Sequence, residues 1–139
     1  LENILVTVAP PDHPLANKKN ISLESLVKER FLQREPASGT RIYFNKMLEQ
    51  KELKIEKYME ISSSEAIKQG VMAGLGLAVI SLHSLRLECE TGRLVILDVE
   101  GFPLKRRWYA VHLLPRHFWI TFLKIVIVCW ALIPSVYFC

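Results

Sequence analysis

Cysteine is scarce: Cys89, Cys129 and Cys139 are the only three among 139 residues. No CxxC pair occurs, so neither a disulfide scaffold nor a structural zinc site is supported, and free thiols in a reducing cytoplasm are expected. The 6 glycines and 7 prolines are ordinary in number, which excludes collagen-like and low-complexity arrays. The sequence lacks GxSxG, the GxxxxGKS/T loop, HExxH and GxGxxG. Ser25-Leu26-Val27-Lys28 fits S-x-x-K but lies inside an amphipathic helix pattern, with no SDN or KTG partner after it. His13, His83, His112 and His117 show no ligand spacing on one helix face, so no metal or other cofactor is implied. Leu1-Glu2-Asn3-Ile4 lacks the basic region and cleavage site of a signal peptide. There is no starting Met either, and an internal piece of a longer protein is expected. The sequon Asn20-Ile21-Ser22 has no secretory context.

Charge of one sign is also modest, with 18 Lys and Arg against 14 Asp and Glu, a net of +4. The densest basic run is Lys105-Arg106-Arg107. Without an aromatic ladder or a recognition-helix pattern beside it, the run reads as a solvated strand end rather than a phosphate-contacting patch. What is present is apolar: 50% of the residues, with 23% charged, which excludes disorder. A chain this long forms one domain and buries roughly two-thirds of its unfolded surface.

Ile4–Ala9 is β-branched and apolar and stops at Pro10-Pro11, a buried strand with a sharp exit. Ser22 caps a short helix, and Arg30–Arg34 reads as a strand. Glu35–Arg41 is a turn launching a helix to about Gln50, with Ile42, Met47 and Leu48 available for its inner face. Ile55–Ile61 alternates as a strand. A helix follows through Ala73, opened by Ser62 with Glu65 as a capping box or by one of the next two serines. Gly74 is suited to end it. Leu77–Ser81 is an apolar strand, Arg86–Glu90 a weak helical turn, and Leu94–Val99 and Trp108–Leu113 two more strands. Strands alternating with helices argue an α/β fold with a largely parallel sheet. Residues 1–113 form the expected domain. Residues 114–139 form an atypical hydrophobic segment whose block at 118–133 is shorter than the roughly 20 residues of a membrane span, so no membrane partner is expected. A buried terminal helix or strand, or an aberrant C-terminus, fits this block, which is expected to cause self-association when uncovered.

In open α/β sheets, ligands sit beyond the carboxyl ends of strands, where helix N-termini favour anions. Ser38-Gly39-Thr40 stands at one such junction and Ser62-Ser63-Ser64 at another. Helix capping accounts for one serine at each. Two hydroxyl-rich clusters at equivalent junctions favour a small-anion site.

These junctions lie within a longer pattern. Ala9–Ala16 (APPDHPLA), Phe31–Arg41 (FLQREPASGTR), Glu65–Val71 (EAIKQGV), Ala73–Leu77 (AGLGL), Thr91–Leu94 (TGRL), Leu97–Pro103 (LDVEGFP) and Trp108–His112 (WYAVH) follow in order. Together they resemble the effector-binding domain of LysR-type transcriptional regulators, most closely the branch that regulates RuBisCO operons. The resemblance implies a periplasmic-binding-protein-like (type 2) α/β fold, a mixed, mostly parallel sheet flanked by helices. It implies the second of two subdomains with both crossover strands, near Leu5–Ala9 and Trp108–Leu113, lying side by side. DNA would be bound only by an N-terminal winged helix-turn-helix absent from this stretch. Carried over by position, Ser38, Gly39, Thr40, Ser63 and Ser64 border the effector. The helix after Thr40 and the strand Ile55–Ile61 pair with a neighbouring subunit in a homo-oligomer. Ala37 stands where related sequences commonly have Gly, and the hydrophobic stretch from Leu114 replaces the family's polar turn and amphipathic helix. The implied function is cytoplasmic, non-catalytic sensing of a small anionic metabolite in transcription regulation of carbon fixation. A phosphorylated intermediate of carbon metabolism or a nucleotide is the implied effector. A solute-binding module of periplasmic type is the alternative, against which the missing signal peptide and free cysteines count. A small α/β enzyme is disfavoured by the missing nucleophile, base and metal constellations.

Overall fold

In a computed structural model of the chain, the described residues are 2–107, 109–111 and 126–128. The elements run β1 (Glu2–Ala9), α1 (Leu23–Leu26), β2 (Phe31–Gln33), α2 (Gly39–Glu49), β3 (Tyr58–Glu60) and α3 (Ser64–Met72). After them come β4 (Ala78–Ser81), α4 (Arg86–Glu90), β5 (Val95–Ile96), β6 (Leu104–Arg107), β7 (Tyr109–Val111) and β8 (Val126–Val128).

β1 is the spine. It pairs antiparallel with β4 along one edge, Leu5 opposite Ser81 and Val8 opposite Ala78. Its other edge is shared by β6, with Glu2 opposite Arg107, and β5, with Ala9 opposite Val95. β2 and β3 pair in parallel, and a parallel bridge from Phe31 to Leu77 joins them to the start of β4. The α/β class and the mixed sheet are as expected. Parallel pairing is confined to β2, β3 and the approach to β4, whereas every pairing of β1 is antiparallel.

Side-chain alternation along β1 sets the layers. Leu5 and Ala9 face a core with Phe31, Leu77, Val79 and the α2 residues Phe44 and Leu48. Val6 and Val8 face the other way, onto Leu32, Ala78, Ile80 and the α3 residues Ile67 and Val71. The two longer helices therefore cover opposite faces of one sheet. At roughly 1.5–3 kcal/mol per buried aliphatic or aromatic side chain, these two layers dominate the stabilisation of the fold.

Four expectations need correction. The partner of Ile4 and Leu5 is not Tyr109–Leu113 but β6, whose Lys105 and Leu104 stand opposite them. With Glu2 opposite Arg107, Tyr109 already lies beyond the start of β1; β7 pairs instead with β8. Leu104–Arg107 carries three basic residues and shows no apolar run, yet it alternates buried and exposed, so Arg106 points inward beside Leu104. The Lys105–Arg107 run is thus split rather than uniformly solvated. Ile42 is not on the inner face of α2: it is 51% exposed, and the i, i+4 pair Phe44 and Leu48 is buried instead. The expected strand at Leu94–Val99 shortens to Val95–Ile96. Trp108, Leu113 and, apart from Val126–Val128, the segment 114–139 with its apolar block lie outside the described residues. Among the described residues no helix is long and apolar enough to cross a membrane.

Candidate functional site

One end of the sheet gathers the carboxyl ends of β2, β4 and β6, the start of β1 and the N-termini of α2 and α3. Gly39 and Ser64 are the first residues of those helices. The α3 cap is Ser63, whose hydroxyl accepts from the Ala66 N–H at 3.3 Å. Ser38 is the α2 cap residue but makes no side-chain capping bond. A cavity of about 200 Å³ opens between the helix ends, and Asn3, Arg34, Thr40, Ser64, Ser81 and Arg106 supply most of its polar lining. Ile67, Val79 and Ile80 form its apolar wall.

Three hydrogen-bonded pairs furnish this cavity, each joining two elements. Arg34, just past β2, donates from Nη1 to Ser64 Oγ at 2.6 Å. Its Nε and Nη2 form a two-pronged contact with Glu35, both at 2.8 Å. That contact fixes the guanidinium plane and leaves Nη1 toward Ser64. The same hydrogen bonds hold the Glu35 carboxyl below its usual pKa. Arg106 of β6 is 7% exposed and reaches Thr40 Oγ1 from Nη2 at a long 3.5 Å. Asn3 of β1 is 1% exposed and accepts at Oδ1 from Ser81 Oγ at 2.6 Å. Because Ser64 and Thr40 accept from arginines, their own hydroxyl protons remain to be donated. Two guanidiniums, two such hydroxyls and two helix N-termini converge, and no carboxylate is in the lining. The chemistry of this donor set is that of an anion receptor.

Of the residues expected from sequence, Thr40 and Ser64 line the cavity. Ser38, Gly39 and Ser63 stand at the helix starts without lining it. Arg34, Asn3, Ser81 and Arg106 were not among them. Arg106 was accessible through period-two alternation from Leu104, and Arg34 by its place at the strand end. Asn3 and Ser81 carry no local signal.

A buried ion pair backs the site. Lys68 on α3 and Glu88 on α4 are 9% and 8% exposed, with Nζ to Oε1 at 2.6 Å. Nζ also donates to the Ser84 carbonyl at 3.2 Å and contacts Glu65 at 2.8 Å. Hydrogen bonds donated by Lys68 to Glu65 and then to Glu88 raise the Lys68 pKa, and Lys68 in turn lowers that of Glu88. The pair ties α3 to the turn after β4 that carries Ser84 into the cavity wall. Among the described residues no group of three or more His, Cys, Asp or Glu is placed to hold a metal ion.

The sheet, the two opposed helices and the cationic cavity at their N-termini define an α/β unit of the small-ligand-binding class. Residues 1–117 match the LysR substrate binding domain, and the chain belongs to that family. It is 50% identical over 112 residues to the RuBisCO operon transcriptional regulator of Allochromatium vinosum, covering 81% of this chain and 37% of that protein. It is 51% identical over 112 residues to the HTH-type transcriptional activator CmpR of Synechocystis sp., again covering 81% of this chain and 37% of that protein. The chain thus spans little more than a third of the length of these relatives, which are transcriptional regulators. Among solved structures it resembles the CcmR regulatory domain of Synechocystis in complex with 2-PG. The TM-score is 0.72 at 42% identity, over 78% of this chain and 52% of that one. The regulatory domain of MetR from N. meningitidis shares the fold, with a TM-score of 0.65 at 23% identity over 75% of this chain and 48% of that one.

Proposed function

We propose that this chain is the second effector-binding subdomain of a LysR-type transcriptional regulator, and that its cavity receives a small phosphorylated anion. The observation that carries the reading is the lining itself: Arg34, Arg106, Thr40 and Ser64 converge between two helix N-termini with no carboxylate among them. The complex of the similar CcmR regulatory domain with 2-PG supports the same ligand class. Residues 1–113 constitute the sensing unit and 114–139 a separate hydrophobic segment.

The mechanism is a shift in population. A ligand gripped by the helix starts and by β1 and β6 favours the conformation in which those elements are closest, by as much as its affinity for the two states differs. DNA contact belongs to an N-terminal winged helix-turn-helix, the assembly is a homo-oligomer, the compartment is the cytoplasm, and the output is control of carbon-fixation genes without catalysis. Calorimetry of the intact protein with 2-phosphoglycolate and with inorganic phosphate tests the site. Wild type binds 2-phosphoglycolate, and Arg34→Gln weakens it at least about tenfold, the loss expected for a charge-assisted bond of about 1.5–3 kcal/mol. Absence of binding heat for both compounds with the wild type removes the reading.

A further inference from the structure

Two of the three pairs lining the cavity are cationic; the third, Asn3 with Ser81, is neutral. Asn3 is 1% exposed, and its Nδ2 has no hydrogen-bond partner although its Oδ1 accepts from Ser81 at 2.6 Å. A buried amide NH₂ left unpaired costs free energy, and such groups in native proteins call for a reason. The surroundings of Asn3 supply one. It stands directly opposite Arg106 across the β1–β6 ladder, and Arg106 reaches Thr40 at the start of α2. The Ser81 hydroxyl donates to Oδ1, an arrangement that leaves the Nδ2 group as the unused donor of a residue that lines the cavity.

We propose that Asn3 is a specificity-determining residue for the effector, resting on the reading of this cavity as the anion site. The cationic pairs hold the phosphoryl group. The Asn3 amide donates to a second acceptor oxygen of the same molecule, a carboxylate or hydroxyl one or two carbons away. Ser81 is the positioning residue that orients it. A neutral donor contributes little to gross attraction for anions. It discriminates, because a ligand lacking the second oxygen leaves the buried NH₂ unpaired. The effector class is therefore a bifunctional phosphate ester rather than simple phosphate.

The test compares affinities of the intact protein for 2-phosphoglycolate, which carries a second acceptor group, and inorganic phosphate, which does not. Asn3→Ala is expected to weaken 2-phosphoglycolate about tenfold while phosphate changes less than about twofold. Asn3→Asp, which puts a carboxylate where the donor was, weakens 2-phosphoglycolate further than Asn3→Ala does. Ser81→Ala lowers the ratio of the two affinities in the same direction by a smaller factor. The ratio is the decisive readout, since partial unfolding of a variant scales both affinities alike and leaves it unmoved. If wild type and the Arg34→Gln variant behave as an anion site requires, but both Asn3→Ala and Ser81→Ala keep the wild-type ratio, Asn3 has no part in recognition and the proposal is overturned. Tighter binding of 2-phosphoglycolate by Asn3→Asp overturns it as well. If wild type binds neither compound, the site reading itself fails and this inference falls with it.

Discussion

Replacing Lys68 by Met is the most demanding test of how the site is supported. The side chain stays unbranched and apolar along its stem but is one heavy atom shorter, and it loses its charge and donors. Glu88, 8% exposed, then has no cation at its Oε1, and its Oε2 already lacks a hydrogen-bond partner. Removing one member of a buried pair costs about 3–5 kcal/mol. We expect about 3 kcal/mol, the low end, because the exposed Glu65 side chain beside the pair keeps water close. Glu88→Met should cost less, about 1–2 kcal/mol, because Lys68 retains Glu65 at 2.8 Å and the Ser84 carbonyl at 3.2 Å. The double variant Lys68→Met/Glu88→Met should return to within about 1 kcal/mol of wild type, since an apolar pair of similar volume replaces a buried ion pair at little net cost. Urea unfolding of the four proteins gives the coupling energy directly.

The same cycle predicts a pH dependence. The Glu88 carboxyl is held below its ordinary value of 4.5 by Lys68. The unfolded chain therefore binds more protons near that pH, so this stabilisation is complete above 4.5 and is lost as pH falls through the lower folded value. Lys68 is held above 10.5, so its share is complete below 10.5 and is lost as pH rises through the higher folded value. In Lys68→Met the acid-side loss should disappear. Lys68→Met within about 1 kcal/mol of wild type, or a double variant costing the sum of the singles, would refute the reasoning.

Three further outcomes follow from the same structure. Thr40→Ala should weaken 2-phosphoglycolate about tenfold in calorimetry, as one lost bond of about 1.4 kcal/mol does. Gly76→Ala should destabilise the fold by about 1–3 kcal/mol in thermal unfolding. The added methyl would stand 2.5 Å from the Arg30 carbonyl oxygen, which accepts from the Leu77 N–H where β2 meets β4. Truncation after Arg116 removes β8 but should leave the sheet built on β1 intact by circular dichroism and reduce self-association in sedimentation velocity, because the apolar block at 118–133 is removed.

What the sequence determined by itself is what depends on neighbours a few residues apart. The β-branched run Ile4–Ala9 specified a buried strand, and Pro10 its end. Ser22 was legible as a cap, and Gly74 as the left-handed stop after α3, where its φ is 75°. The motif from Phe31 to Arg41 located one helix N-terminus of the cavity, and the serine run at 62–64 the other. Local spacing also placed Thr40 and Ser64 at the right ends of the right helices. It could not say which hydroxyl at each junction turns inward. That depends on the rotation of each helix on the sheet, set by Phe44 and Leu48 on one face and by Ile67 and Val71 on the other. Nor could it bring Asn3, Arg34, Ser81 and Arg106 together. They come from four separate strand ends and meet because β1 takes Ser81 and Arg106 as neighbours through one antiparallel register on each edge. A register is a property of two strands and the cores beneath them, and a polar strand such as Leu104–Arg107 has too little apolar signal to declare it in advance. The tertiary structure therefore decided which polar groups furnish the cavity, and with them the anion chemistry of the site.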